Sequence, residues 1–196
     1  MFPLGSVLLP HMPLPLRVFE SRYLEMLRVI LAEEPSEFGV VLIERGQEVG
    51  GGDVRVDIGT VAQIGSIDTS GESILLIAQG VRRIKVHRWL EGAAYPLAEV
   101  EDLPAPAWSD ELAPLLERAE RSVRRVLREA EEAGAEVRWP ADVGLDDDPA
   151  AAAWQLAAIA PLGPLDQLAL LGSSSIERLL SRTIELTEDV EPLYTS

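Results

Sequence analysis

Phe2-Pro3-Leu4-Gly5-Ser6-Val7-Leu8-Leu9-Pro10-His11-Met12-Pro13-Leu14-Pro15-Leu16-Arg17-Val18-Phe19-Glu20-Ser21-Arg22-Tyr23 is the stretch from which the fold can be read. Two short apolar runs, Val7 to Leu9 and Leu14 to Phe19, flank a proline-punctuated turn. Prolines at 3, 10, 13 and 15 deny a helix, because each lacks an amide donor and pushes the residue before it out of the α region. The stretch is therefore extended. Phe19, Tyr23, Leu24, Leu27, Ile30 and Leu31 then recur at helical spacing, so its end launches an amphipathic helix. The opening unit is strand, proline turn, strand, helix.

Glu33-Glu34-Pro35-Ser36 stops that helix, and the apolar run Phe38 to Ile43 is expected as a buried strand. Four glycines between Glu44 and Asp53 predict a loop. Val54, Val56 and Ile58 alternate with Arg55 and Asp57, the period of a half-buried strand that Gly59 bends and Val61 to Ile67 continues. Asp68 to Glu72 is a turn cluster, with Ser73 to Ala78 pairing back across it. Gln79-Gly80 is expected to break the pairing. In the next strand Ile84 and Val86 face the core, and Arg83, Lys85 and His87 face water. Ala94 to Glu101 is the last strand. Five or six antiparallel strands with one helix curl into a small barrel or pseudo-barrel, since closure removes exposed edges.

After the seam Asp102-Leu103-Pro104-Ala105-Pro106-Ala107 the pattern is helical. Leu112, Leu115, Leu116, Ala119, Val123, Val126, Leu127 and Ala130 form one stripe, which Gly134 ends. Asp146-Asp147-Asp148 before Pro149 is a carboxylate cap followed by proline at the first helical position. A helix to about Ala160, a short one over Leu165 to Leu171 and a last one opened by the capping box Ser174-x-x-Glu177 complete the chain. The division is 1–104 for a β-rich subdomain and 105–196 for a helical one.

The order and spacing of these pieces carry a resemblance. The run from Phe2 to Leu27, with Phe38-Gly39-Val40-Val41, Val61-Ala62-Gln63-Ile64, Gln79 to Ile84, Tyr95 to Val100 and the final helix from Ser174 to Leu186, resembles the Lon N-terminal domain family. That family is the substrate-binding region of the ATP-dependent protease Lon, and it also occurs alone. The resemblance implies an α+β fold: a PUA-like antiparallel β pseudo-barrel with one helix, followed by a C-terminal α-helical bundle. It also implies a non-catalytic role in recognising polypeptide, an unfolded chain or a partner, linked to protein quality control and possible alongside a separate protease or ATPase. The surface offered to peptide would be an apolar groove between the subdomains or an open strand edge. By position, the expected peptide contacts are Met12 in the proline turn, Arg45 beside the glycine loop, and Trp89 and Tyr95 near the end of the barrel.

Composition narrows the chemistry. The 196 residues contain no cysteine, which excludes thiol catalysis, thiolate metal sites and disulfides and fits a reducing, cytoplasmic setting. No run approaches the roughly 20 apolar residues that cross a bilayer, so no membrane association is expected. The formal charge is −16, and an acidic field repels phosphate backbones and anionic lipid. The glycine-rich segment Gly46 to Gly52 has no lysine in or beside it, so it is no phosphate-binding loop. The one lysine, Lys85, sits on a solvated strand face where nothing lowers its pKa for a serine-lysine dyad. His11 and His87 are far apart and lack the partners of a zinc site or a triad. No enzyme activity, cofactor or metal is expected. Arg82, Arg83, Lys85, His87 and Arg88 make a basic patch, and RNA binding by a PUA-like barrel is the alternative function, set against the acidic background and few aromatics. A second basic row, Arg118, Arg121, Arg125 and Arg128, is interleaved with glutamates along the long helix.

Overall fold

In the computed structural model, which describes residues 1–45, 54–69 and 73–195, the first strand lies earlier than the apolar runs predict. β1 is Phe2–Leu4, and Val7, Leu8 and Leu9 are instead buried irregular chain. Burying that backbone requires partners for its carbonyls, and the Thr60 hydroxyl, itself fully buried, donates to the Leu8 carbonyl at 2.6 Å. β2 is Pro13–Val18, α1 Ser21–Ile30, β3 Glu37–Arg45, β4 Val54–Asp68, β5 Ile74–Leu90 and β6 Leu97–Asp102. The glycine loop 46–53 and the turn residues 70–72 lie outside the described residues.

The six strands form one mixed sheet in the order β1-β3-β4-β5-β2, with β6 also paired to β5. An all-antiparallel sheet is thus corrected at one edge: Phe2, Pro3 and Leu4 run parallel to Val40, Val41 and Leu42. A parallel pair needs a long crossover, and here β2 and α1 supply it. β5 is also one strand of 17 residues rather than two. Gly80 does not break it. A Cβ there would lie 2.6 Å from the Leu9 carbonyl oxygen, so glycine is needed for the close approach of the buried turn. At the same point β5 changes neighbour: β2 pairs with residues 74–79, and β6 pairs with 84–90 along the same edge. Gly59 has the same cause in β4, where a Cβ would come within 2.2 Å of the Val40 carbonyl oxygen.

The core of this unit, Met1–Ala105, gathers Phe2, Tyr23, Met26, Leu27, Phe38, Ile84 and Val86. Phe2 and Tyr23 stack with centroids 4.1 Å apart. The buried side of α1 is Tyr23, Met26 and Leu27, whereas Phe19 and Leu31 are exposed. Phe19 precedes the extended N-cap Glu20, so it follows the two-residue alternation of β2 and not the helix. Alternation also fails at Arg83, which is buried. The chain leaving β6 covers it: Leu103 N–H donates to the Arg83 carbonyl, and the guanidinium donates to the Pro104 carbonyl at 2.8 Å.

The second unit, Pro106–Ser196, holds α2 Ala113–Glu132, α3 Pro149–Ile159, α4 Pro164–Leu171 and α5 Ile176–Val190. α2, α3 and α5 pack on one another. α3 is apolar all round and buried along nearly its whole length, as expected of a helix without a water-facing side. Asp148 caps it, accepting from the Ala150 and Ala151 amides. The α5 cap is Ser175, one residue beyond the expected Ser174, with its hydroxyl accepting from the Arg178 amide. Gly134 follows α2 at φ 75°, a left-handed turn that glycine adopts without cost.

Candidate functional site

The outer face of the sheet at the β2 end is one place where the first unit leaves apolar side chains uncovered; Leu90, Leu97 and Val100 at the β5–β6 end are another. Along β2, Leu14 and Val18 point into the core while Pro13, Pro15 and Arg17 point out. Phe19 continues that outward row at 58% exposure. Across the ladder, Pro15 is opposite Ile77, and Arg17 is opposite Leu75. Leu75 and Ile77 are 49% and 54% exposed, while Leu76 and Ala78 between and beyond them are buried. A bulge at Gly65 brings Ser66 and Asp68 of β4 beside Ile77 and Leu75. The result is a shallow recess of about 560 Å³ with an apolar floor. One cation and one anion border it, and the Arg17 side chain is held by the Ser73 hydroxyl at 3.1 Å.

The edge of this sheet differs from its face. Gly80 N–H donates to the Met12 carbonyl and His11 N–H donates to the Gly80 carbonyl. Counting on by twos, Leu14 and Leu16 turn their amides toward β5, and Pro13 and Pro15 occupy the positions whose amides would point outward. Proline has no amide to offer there, which is how natural sheets blunt an edge.

The expected contacts do not come together. Met12 is 7% exposed and belongs to the core, because the His11 turn folds onto Gly80. Arg45 ends β3, and its side chain lies outside the described part of the structure. Trp89 and Tyr95 are half-buried. Trp89 lies opposite Ala98 at the far end of β5, twelve residues or about 40 Å of extended chain from Ile77. The recess is lined by Leu75, Leu76 and Ile77 of a run, Ile74 to Ile77, that is apolar on both parities, so alternation alone does not mark which of its faces is exposed.

The basic strand is neutralised in place. Arg82 reaches Glu37 of β3 at 2.8 Å and Asp102 of β6 at 3.0 Å, and these bonds, Glu37 foremost, hold its pKa above the usual arginine value. Burial lowers that of Arg83, which faces a carbonyl and not solvent. His87 meets Glu101 at 2.9 Å, and Arg88 pairs with Glu99 at 2.5 Å. β6 thus lays a row of carboxylates against β5. Among the described residues no group of three histidines or carboxylates is placed to hold a metal ion, and no helix is long and apolar enough to cross a membrane.

Residues 1–189 match the family model of the ATP-dependent protease La (LON) substrate-binding domain. The chain is similar to the Lon N-terminal domain protein from Xanthomonas campestris, with a TM-score of 0.65 at 27% identity over 94% of this chain and 95% of that one. It is also similar to the N-terminal domain of the Mycobacterium avium complex Lon protease, with a TM-score of 0.64 at 21% identity over 95% of this chain and 97% of that one, a likeness of fold. No curated protein matches.

Proposed function

The chain belongs to the family of Lon substrate-binding domains, and on that premise we propose that it is a non-catalytic receptor for unfolded polypeptide, gripping apolar side chains on the outer face of β2 and β5. The observation that carries this reading is the set of exposed apolar residues Pro15, Phe19, Leu75 and Ile77 on one strand pair. An exposed patch of this kind costs solubility unless a partner covers it. A rigid ladder also presents it without the ordering entropy that a loop would lose on binding.

With the edge of β2 blunted by prolines, the client is held by its side chains and not as an added strand. Opposite charges border the recess, so its local field is near neutral and affinity depends little on salt. In this reading the sheet unit is a PUA-like pseudo-barrel, residues 1–104 are the recognition subdomain, and residues 105–196 form a helical bundle. The protein serves quality control in the cytoplasm, passing clients to a separate protease or ATPase. RNA binding is disfavoured by the pairing of Arg82, His87 and Arg88 with carboxylates.

The test is a titration of the whole chain against a labelled, permanently unfolded polypeptide, the same polypeptide in its folded form, and single-stranded RNA. Saturable binding of the unfolded form alone, unchanged between low and high salt, supports the reading. Preference for RNA, with affinity falling steeply as salt rises, would sink it.

A further inference from the structure

α2 carries five arginines and five glutamates, but its arginines are gathered on one face. Arg118, Arg121, Arg124, Arg125 and Arg128 are five arginines in eleven residues of a chain whose net charge is −16. At 100° per residue they occupy about 120° of arc, on the face opposite the buried stripe of Ala119, Val123, Val126 and Ala130. Together they line a recess of about 610 Å³, joined there by only two carboxylates, Glu120 and Glu188.

Two of the five have two partners each. Arg124 holds Glu120 at 2.8 Å and donates to the Ala141 carbonyl at 2.6 Å. Arg125 reaches Glu129 at 3.5 Å and also Glu191. The other three are loosely held. Arg121 is 3.6 Å from Glu117 and Arg118 is 3.7 Å from Glu188, with both guanidiniums largely in solvent. Arg128 is exposed and has no ion pair among the described residues. The spacing matters as much as the distances. Arg121/Arg125 and Arg124/Arg128 are like charges at i,i+4, and Arg118/Arg121, Arg121/Arg124 and Arg125/Arg128 are like charges at i,i+3. Each such pair disfavours the helix. A sequence selected only for helix stability would place a glutamate in one position of every pair.

We infer that this face of α2 is a docking surface for an acidic polypeptide segment, separate from the apolar face of the sheet. Arg118 and Arg128 are ten residues and about 15 Å apart along a straight helix, so a partner whose carboxylates are spaced about one turn and then about two turns apart can meet Arg118, Arg121 and Arg128. Guanidiniums suit this partner, because each can hold a carboxylate through two parallel hydrogen bonds. A polyphosphate fits less well. Glu120 and Glu188 interrupt the track that a continuous backbone would follow, and the overall acidic field repels a chain with a charge on every residue.

The experiment uses the full chain and a fluorescein-labelled helical peptide with glutamates at i, i+3, i+7 and i+10 among alanines, with a lysine version of the peptide and poly(U) RNA as comparators. Anisotropy should show saturable binding of the glutamate peptide in 50 mM salt that weakens at least tenfold in 300 mM salt. The double variant Arg121→Gln/Arg128→Gln should lose at least tenfold in affinity while melting at the same temperature as the parent or higher, since the like-charge contacts are gone. Ile77→Thr should leave this binding unchanged, so that failure here is distinguishable from failure of the sheet-face reading. Absence of saturation in 50 mM salt, equal affinity in the double variant, equal binding of the lysine peptide, or tighter binding of poly(U) overturns the inference. So does a fall in the melting temperature of the double variant, which would make these arginines structural.

Discussion

Replacing Phe19, Leu75 and Ile77 together, as Phe19→Ser, Leu75→Thr and Ile77→Thr, removes the large exposed apolar side chains of this face, two of which line the recess, and leaves the ladder intact. Fully burying a side chain of this size is worth about 1.5–3 kcal/mol. These three are 58%, 49% and 54% exposed, so a bound client can cover roughly the remaining half of each. That sets about 1 kcal/mol per residue and about 3 kcal/mol for the three, an upper bound because association also orders the client. Three kcal/mol is about a hundredfold in Kd. Single variants should each lose about fivefold, near-additively, and the triple variant should fall between tenfold and a hundredfold. Threonine is β-branched and suits a strand at 75 and 77, Phe19 lies beyond the end of β2, and half-exposed positions tolerate polarity, so the denaturation midpoint should move little. The assay is competition anisotropy with a labelled, permanently unfolded polypeptide, and urea denaturation of every variant serves as the control. A triple variant that binds within twofold of the parent, while folded, refutes the placement of the site.

Other outcomes follow from the same geometry. Trp89→Ala should leave client affinity within twofold, because the residue lies at the far end of β5. Gly80→Ala should cost about 2–3 kcal/mol in urea denaturation, since its Cβ would press on the Leu9 carbonyl at 2.6 Å and on Thr60 at 3.2 Å. Asp148→Ala should cost about 1 kcal/mol, seen as a lower thermal midpoint, through loss of two capping hydrogen bonds at the start of α3. A client peptide with alternate backbone amides methylated should bind as tightly as the unmodified one in the competition assay, because the recess holds side chains; a tenfold loss would show strand addition.

The helices were legible because their signals are local. Asp148-Pro149 states its own function, and the α2 stripe needs only its own residues to be recognised. The α5 cap slipped by one because three serines in a row offer three candidates, and the extended backbone at Ser175 selects among them. The sheet depended on contacts distant in sequence. Gly80 looks like punctuation in a one-dimensional reading, yet it is the residue that lets the buried Leu9 backbone cross β5. Arg83 follows the wet parity of its strand and is buried all the same, because the segment after β6 folds over it. Met12 is buried, against its expected place at the surface, for the related reason that a proline turn reads as surface until something is found packing beneath it.

The recess was misplaced for a different physical reason. Alternation reveals a half-buried strand by its polar residues, and Ile74 to Ile77 has none, so the run reads as doubly buried. Only the pairing with β2 shows otherwise: Pro15 and Arg17 lie opposite Ile77 and Leu75, and neither can roof an apolar pair. The same prolines that expose the face also close the edge, and the two effects are linked. A strand able to accept a further strand fixes its client's register through backbone hydrogen bonds and so reads spacing. A strand whose outward positions at 13 and 15 carry no amide leaves only that of Arg17, and in the proposed reading its face selects for apolar bulk over Pro15, Leu75 and Ile77. If the proposed reading holds, broad acceptance of unrelated unfolded chains is what the proline pattern at 13 and 15 predicts, before any particular client is considered.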